Sequence, residues 1–253
     1  VQGVRGPLLA TVCVVGGVLL YWLTLPRWAH AAFRQGNLGS AIRRYRWIAA
    51  SYVPARRRAA LLSVGAAQLA AGGRFRLAGK TMSAIAGAAG NFVGVGRLSN
   101  GDFEAPVKLR DARLFEWQIG AGADPQAGVS EGQPHSGRFS LLLIFNTMQA
   151  ADMRQIAQTV AAEPGAAYAV EGYFRSELKG AVALEVADAN DGKSLVRSAP
   201  FGPQAEWTRF RVEFQVPTTA DGVIVRLVRD GCVSSVCPVS GKLWIDDISM
   251  TVK

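Results

Sequence analysis

The first 101 residues contain no aspartate and no glutamate, although 13 basic residues, Arg5 to Arg97, fall among them. All 19 acidic residues lie from Asp102 onward, and that part carries a net charge of −4 within a chain of +9. Histidine is nearly absent: His30 and His135 stand far apart, and the cysteines are Cys13, Cys232 and Cys237. So few nitrogen and sulfur donors exclude a zinc centre of the usual four-ligand kind. No Ser/His/Asp arrangement or glycine-rich phosphate loop is present, and catalysis is not expected. An acid-free basic stretch suits anionic lipid headgroups or an acidic protein face. Nucleic acid is the other standard partner for such charge. It is set aside, because the basic stretch adjoins a membrane-length apolar run and carries no nucleic-acid motif.

That run is residues 6–26, uncharged between Arg5 and Arg27. About 20 apolar residues span a bilayer as a helix. Tyr21, Trp22 and Trp28 cluster at one end, as an interfacial aromatic belt does. A cleaved signal peptide fits less well, since no small-residue cleavage site follows. The expectation is one transmembrane helix in a bacterial inner membrane. Orientation is contested. Arg27, Arg34, Arg43 and Arg44 place the C-terminal flank in the cytoplasm. Cys232 and Cys237, with four residues between them, suit a loop disulfide and hence the periplasmic side. The periplasmic body is preferred.

Residues 27–90 read as helical hairpins. Ala41, Ile42, Tyr45, Ile48, Ala49 and Tyr52 form one apolar stripe at helical period. Gly36-Asn37 precedes it and Pro54 follows it. Gly36, Ala41, Tyr45 and Pro54 resemble a tetratricopeptide repeat, and Gly73, Ala78 and Met82 sit at matching offsets in a poorer second copy. Two copies are fewer than the three or so that a free-standing array needs, so the segment is expected to lean on the membrane, the C-terminal domain or a partner. Arg43, Arg44, Arg46, Arg56, Arg57 and Arg58 have no nearby acid and form a candidate docking face for lipid phosphate or an acidic partner. Residues 91–99 read as a linker.

From residue 100 the period changes from 3.6 to 2. Phe210, Val212, Phe214 and Val216 alternate with Arg209, Arg211, Glu213 and Gln215. Tyr168, Val170, Gly172 and Phe174 alternate with Ala169, Glu171, Tyr173 and Arg175. Further strands are predicted near 139–145, 154–160, 182–187, 223–229 and 242–252, with turn signals at Pro164-Gly165, Asn190-Asp191-Gly192, Asp221-Gly222 and Ser240-Gly241. Short, polar-out strands in this number indicate an antiparallel β-sandwich over 100–253. The fold class is therefore α + β: a membrane helix, helical hairpins and a C-terminal sandwich.

Asn100-Gly101-Asp102-Phe103-Glu104, then Gly137, Pro164-Gly165, Trp207-Thr208-Arg209-Phe210 and Leu243-Trp244-Ile245-Asp246-Asp247-Ile248-Ser249 follow one another in order. This pattern resembles the jelly-roll carbohydrate-binding modules of the family 4/9 type, within the galactose-binding-like fold. The resemblance implies a structural calcium tying the opening segment to the last strand, through Asp102 or Glu104 with Asp246 or Asp247. For glycan stacking the candidates are Trp117, Tyr173 and Phe201, while Trp207 and Trp244 match positions that are core in the family. Asp246 and Asp247 are neighbours on one strand, so their side chains should point to opposite faces and cannot converge as a glycosidase pair.

Two functions compete. The preferred one is a non-catalytic, membrane-anchored accessory subunit that docks on other subunits of a larger membrane assembly, photosynthetic or respiratory, through lipid and protein contacts. The alternative is a cell-envelope glycan-binding protein associated with exopolysaccharide production or export. One expectation is directly checkable: mass spectrometry without reductant should find Cys232 and Cys237 joined, and two free thiols would remove the main argument for a periplasmic body.

Overall fold

The computed structural model describes residues 27–253 apart from 33, 36, 38, 42, 45–46, 48–54, 86–91, 150–152 and 230–235. The expected membrane helix at 6–26 lies outside the described residues. Among those described, no helix is long and apolar enough to cross a membrane. The accessory-subunit reading therefore gains no support from the structure.

Ten strands form two antiparallel sheets. The first is ordered β1 (Gln118–Ile119), β4 (Ile156–Ala161), β9 (Gly222–Arg229), β6 (Val182–Asp188), β7 (Ser194–Arg197). The second is ordered β2 (Gln126–Ser130), β3 (Ser140–Gln149), β10 (Val236–Val252), β5 (Ala167–Ser176), β8 (Gln204–Gln215). The predicted alternation holds where it was strongest. Phe210, Val212 and Phe214 of β8 pair across from Gly172, Val170 and Tyr168 of β5, and all face inward. Leu141, Leu143 and Phe145 of β3, Leu184 and Val186 of β6, Val223 and Val225 of β9, and Leu243 and Ile245 of β10 complete the core between the sheets. Burying each such side chain is worth about 1.5–3 kcal/mol.

Strand β6 departs from the expected pattern, because its outward residues are covered too: all seven positions are buried. Glu185 points outward yet is fully buried, since Arg197 and Arg226 close over it. Its Oε1 accepts from Arg197 Nε at 2.6 Å and its Oε2 from Arg226 Nε at 2.6 Å. Burial pushes the Glu185 carboxyl up, but the bonds from Arg197, Arg226 and Ser194 outweigh this and hold it below its ordinary value.

Two helices pack on one end of the sandwich, α1 (Ala55–Ala71) and α2 (Phe75–Ser83), joined at Gly73, whose φ of +68° suits glycine. The described residues within 27–34 and 39–47 are helical as well. Leu62, Ala66 and Leu69 of α1 and Phe75, Ala78 and Met82 of α2 share a second apolar cluster with Phe115 and Ala161. The Phe75 ring lies so close to Gly222 that a Cβ there would sit 2.4 Å from it. Asp221 Oδ1 accepts the Phe75 N–H at 2.7 Å, and Arg76 pairs with Glu163. An acid at a helix start meets both the free N–H groups and the dipole.

These contacts correct the repeat expectation. Gly73, Ala78 and Met82 do mark a turn and a buried face, but the hairpin joins helices of 17 and 9 residues and seats them on the sandwich. Gly36, Tyr45 and Pro54 of the first copy lie outside the described residues, and the likeness to tetratricopeptide repeats has no structural support. Residues 92–117 contain neither helix nor strand, but Phe103 and Trp117 within them belong to the sandwich core.

Replacing Glu185 by Gln should lower unfolding stability by about 2 kcal/mol, because it leaves two guanidinium groups around a neutral side chain. The wild type should keep this stabilisation above the ordinary carboxylate pKa of 4.5 and lose it as pH falls through the depressed folded-state value. Urea denaturation of both proteins across pH 3–7 checks it.

Candidate functional site

The outward face of the second sheet carries the chemistry. Strand β10 lies at its centre, paired with β3 on one side and β5 on the other. Trp244 pairs with Leu142 and with Arg175, and Asp246 pairs with Tyr173. These residues share the face turned away from the core, since Leu243 and Ile245 point inward. After Asp246 the register shifts and Asp247 adopts φ +50°, which marks a β-bulge.

The bulge overturns the expectation that the two aspartates face opposite ways. Both carboxylates hold the same loop, residues 131–139 between β2 and β3. Asp246 Oδ2 accepts from the backbone N–H of His135 at 2.9 Å and of Ser136 at 3.3 Å, and Oδ1 accepts from Asp247 N–H at 2.8 Å. Asp247 Oδ2 is 2.6 Å from His135 Nδ1, and Oδ1 accepts from Ser136 Oγ at 2.9 Å. An ionised carboxylate only accepts, so Nδ1 carries the proton in this contact. Glu104 clamps the other end of the loop: its Oε1 accepts from Arg138 N–H at 2.7 Å and Phe139 N–H at 2.9 Å. Gly137 has φ +60°, and a Cβ there would lie 2.3 Å from the same oxygen.

Asp246 is fully buried. Burial raises its carboxyl above the ordinary value, three backbone N–H donors oppose this, and the neighbouring Asp247 charge adds to the rise. Its ionised form therefore costs stability at neutral pH, a cost that disappears as pH falls through the raised value.

The loop places aromatic rings on the sheet. His135 stacks on Tyr173 with ring centres 3.6 Å apart and planes 14° from parallel, and Trp207 meets His135 edge-on at 5.7 Å. Trp207 Nε1 donates to Gln133 O at 3.2 Å. Beside this group, the Arg175 guanidinium lies over the Trp244 ring at 4.9 Å and Lys242 Nζ at 5.9 Å. Leu142 and the exposed Ile144 flank it on β3.

Of the three predicted stacking residues, only Tyr173 stands on this face. Trp117 is 5% exposed, packs on Phe103 and donates from Nε1 to Asn100 O. Phe201 is 1% exposed and packs between Phe174 and Phe210. Both belong to the core because the segments bearing them fold inward between the sheets. Conversely, Trp207 and Trp244, expected in the core, point to the outward face, although Trp244 is only 8% exposed beneath Arg175 and Lys242. His135 was read only as an isolated histidine, and nothing local in the sequence signals that the bulge brings it to Tyr173.

The acids expected to bind calcium do not fit that role as arranged. The tie between the opening segment and the last strand is made by the backbone, Ile248 N–H donating to Gly101 O at 2.9 Å. Asp102 is exposed, and the other three carboxylates hold the loop at 131–139. Calcium takes about six to eight oxygens around one point. Among the described residues, no three His, Cys, Asp or Glu side chains converge in that way.

The other predicted sites fall partly outside the described residues. Cys237 is disulfide-bonded, while Cys232 lies outside them. Arg46 lies outside them too, as do the side chains of Arg56, Arg57 and Arg58 on α1. Arg43 is exposed, and Arg44 is spent within the chain, donating to Trp28 O at 2.5 Å. Four of the six arginine side chains expected to form the docking face thus lie outside the described residues.

The chain belongs to the CBM_4_9 family, described as a carbohydrate binding domain, whose model matches residues 96–230. Similar solved structures include one described as "CBM4 structure and function", 14% identical, with a TM-score of 0.48, covering 62% of this chain and 99% of that one. TmCBM61 in complex with beta-1,4-galactotriose is 16% identical, with a TM-score of 0.41 over 61% and 96% of the two chains. The CBM22-1 xylan-binding domain from Paenibacillus barcinonensis Xyn10C is 13% identical, with a TM-score of 0.38 over 58% and 92%. A comparison with curated proteins returned no match.

Replacing Asp246 by Ala should free the loop at one end only. The amides of His135, Ser136 and Asp247 should exchange with solvent roughly tenfold or more faster, about 1.4 kcal/mol of lost protection. Those of Arg138 and Phe139, held by Glu104, should change less. Hydrogen exchange read by NMR checks both statements.

Proposed function

We propose that this chain binds glycan on the outward face of the β2-β3-β10-β5-β8 sheet, without a catalytic step. The observation that carries this reading is the grouping of Tyr173, His135, Trp207 and Trp244 on one face of a domain whose family is described as carbohydrate binding. Rings offer apolar surface to the C–H face of a sugar, while exposed polar side chains meet its hydroxyls. The loop at 131–139 is pre-ordered by Asp246, Asp247 and Glu104, so little ordering entropy remains to be lost on binding.

The setting is the cell envelope, and the ligand a polysaccharide made or exported there. The bonded Cys237 supports an oxidising compartment. Affinity electrophoresis and calorimetry of the full chain against a panel of purified polysaccharides test the reading. Binding to at least one polymer is expected, and Trp207→Ala should weaken it roughly tenfold, about 1.4 kcal/mol, while the melting temperature stays close to that of the wild type. Failure to bind any polymer, or binding indifferent to Trp207, would overturn it.

A further inference from the structure

Charge on the outward face is balanced at one end and unbalanced at the other. Toward β8, Glu171 accepts from Arg209 at 2.5 Å and from Arg211 at 2.6 Å, and the bonds from these two arginines hold its carboxyl below the ordinary range. Glu213 is shared between Arg211 at 3.2 Å and Lys253 at 2.5 Å. Every cation there has an acid.

Toward β3, this is not so. Arg175 and Lys242 both lie over the indole of Trp244, and among the described residues neither forms an ion pair or a side-chain hydrogen bond. Arg175 Nε is buried from water with no acceptor. The acids that could serve them are committed elsewhere or turned away. Asp246, next on the same face, is engaged by three backbone N–H groups. Glu177, two residues from Arg175, engages Lys242 only through its backbone N–H, which donates to Lys242 O.

Two like charges held over one ring repel each other, and a buried donor without an acceptor costs free energy. Attraction to the indole offsets only part of this cost. An arriving anion would relieve both costs, and the planar guanidinium matches a carboxylate in two-point geometry. Leu142 and Ile144, paired with Trp244 and Lys242, supply apolar surface beside the charges.

We infer that the glycan held on this face is an acidic one, its carboxylates recognised by Arg175 and Lys242 across Trp244. The inference rests on the glycan-binding reading and narrows it from glycans in general to uronic-acid polymers.

The test compares full-chain binding to polygalacturonate and alginate with binding to fully methyl-esterified polygalacturonate, which keeps the sugar backbone and loses the charge. Both acidic polymers should bind roughly tenfold or more tighter than the ester, by charge-assisted hydrogen bonds. That preference should shrink as salt rises from about 0.05 M to about 0.5 M. Arg175→Gln and Lys242→Gln should each remove most of the preference, read as the ratio of acid to ester affinity measured in the same variant. Arg175→Lys should retain part of it.

Equal affinity for the acid and ester forms, or a preference untouched by Arg175→Gln and Lys242→Gln, would overturn the inference. If xylan or galactan binds and neither acidic polymer does, the inference fails and glycan binding stands. If no polymer binds, both fail.

Discussion

The bulge after Asp246 is the constraint on which the site depends. In an unbroken strand, Asp246 and Asp247 would face opposite sides of the sheet. The left-handed turn at Asp247 directs both carboxylates to the loop at 131–139, where they take up backbone amides, a serine hydroxyl and a histidine ring. With the loop fixed, His135 can stack on Tyr173 and Gln133 can accept from Trp207. Remove the bulge and these rings lose their common anchor. The buried charge of Asp246 is tolerated because three N–H donors replace the water it has lost.

The two outward faces solve the same problem differently. On the first sheet, Glu185 is sealed beneath Arg197 and Arg226, a closed group with its charge answered on both sides. On the second, the β8 end is closed in the same way by Glu171 and Glu213, but the Trp244 end leaves cations open. The helix hairpin covers neither of these groups. It occupies an end of the sandwich, where Phe75 fills the space above Gly222.

Much of the sandwich was legible because period-2 alternation is a direct consequence of strand geometry. The runs ending at Phe174 and Val216 fell on β5 and β8 for that reason. The short strands β1, β2 and β7 were not legible. Two residues carry no period, and Gly128 interrupts β2. Faces were harder than strands. Trp207 shares its parity with Arg209 and Arg211, and Trp244 with Asp246, so alternation pointed both outward, and only the family resemblance placed them in the core. Tyr173 could be placed outward because its neighbours Glu171 and Arg175 are charged. His135 could not be placed, because its role arises from a bulge 111 residues away.

The central position of β10 has a mechanical consequence. A polymer gripped at Trp244 would pull on a strand that is bonded to β3 on one side and β5 on the other. Tension along that strand loads two ladders of hydrogen bonds in shear at once, so no single bond has to yield first. Force entering at the indole is thereby spread across the middle of the sheet and away from its edge strands, a favourable geometry for holding a long chain against drag.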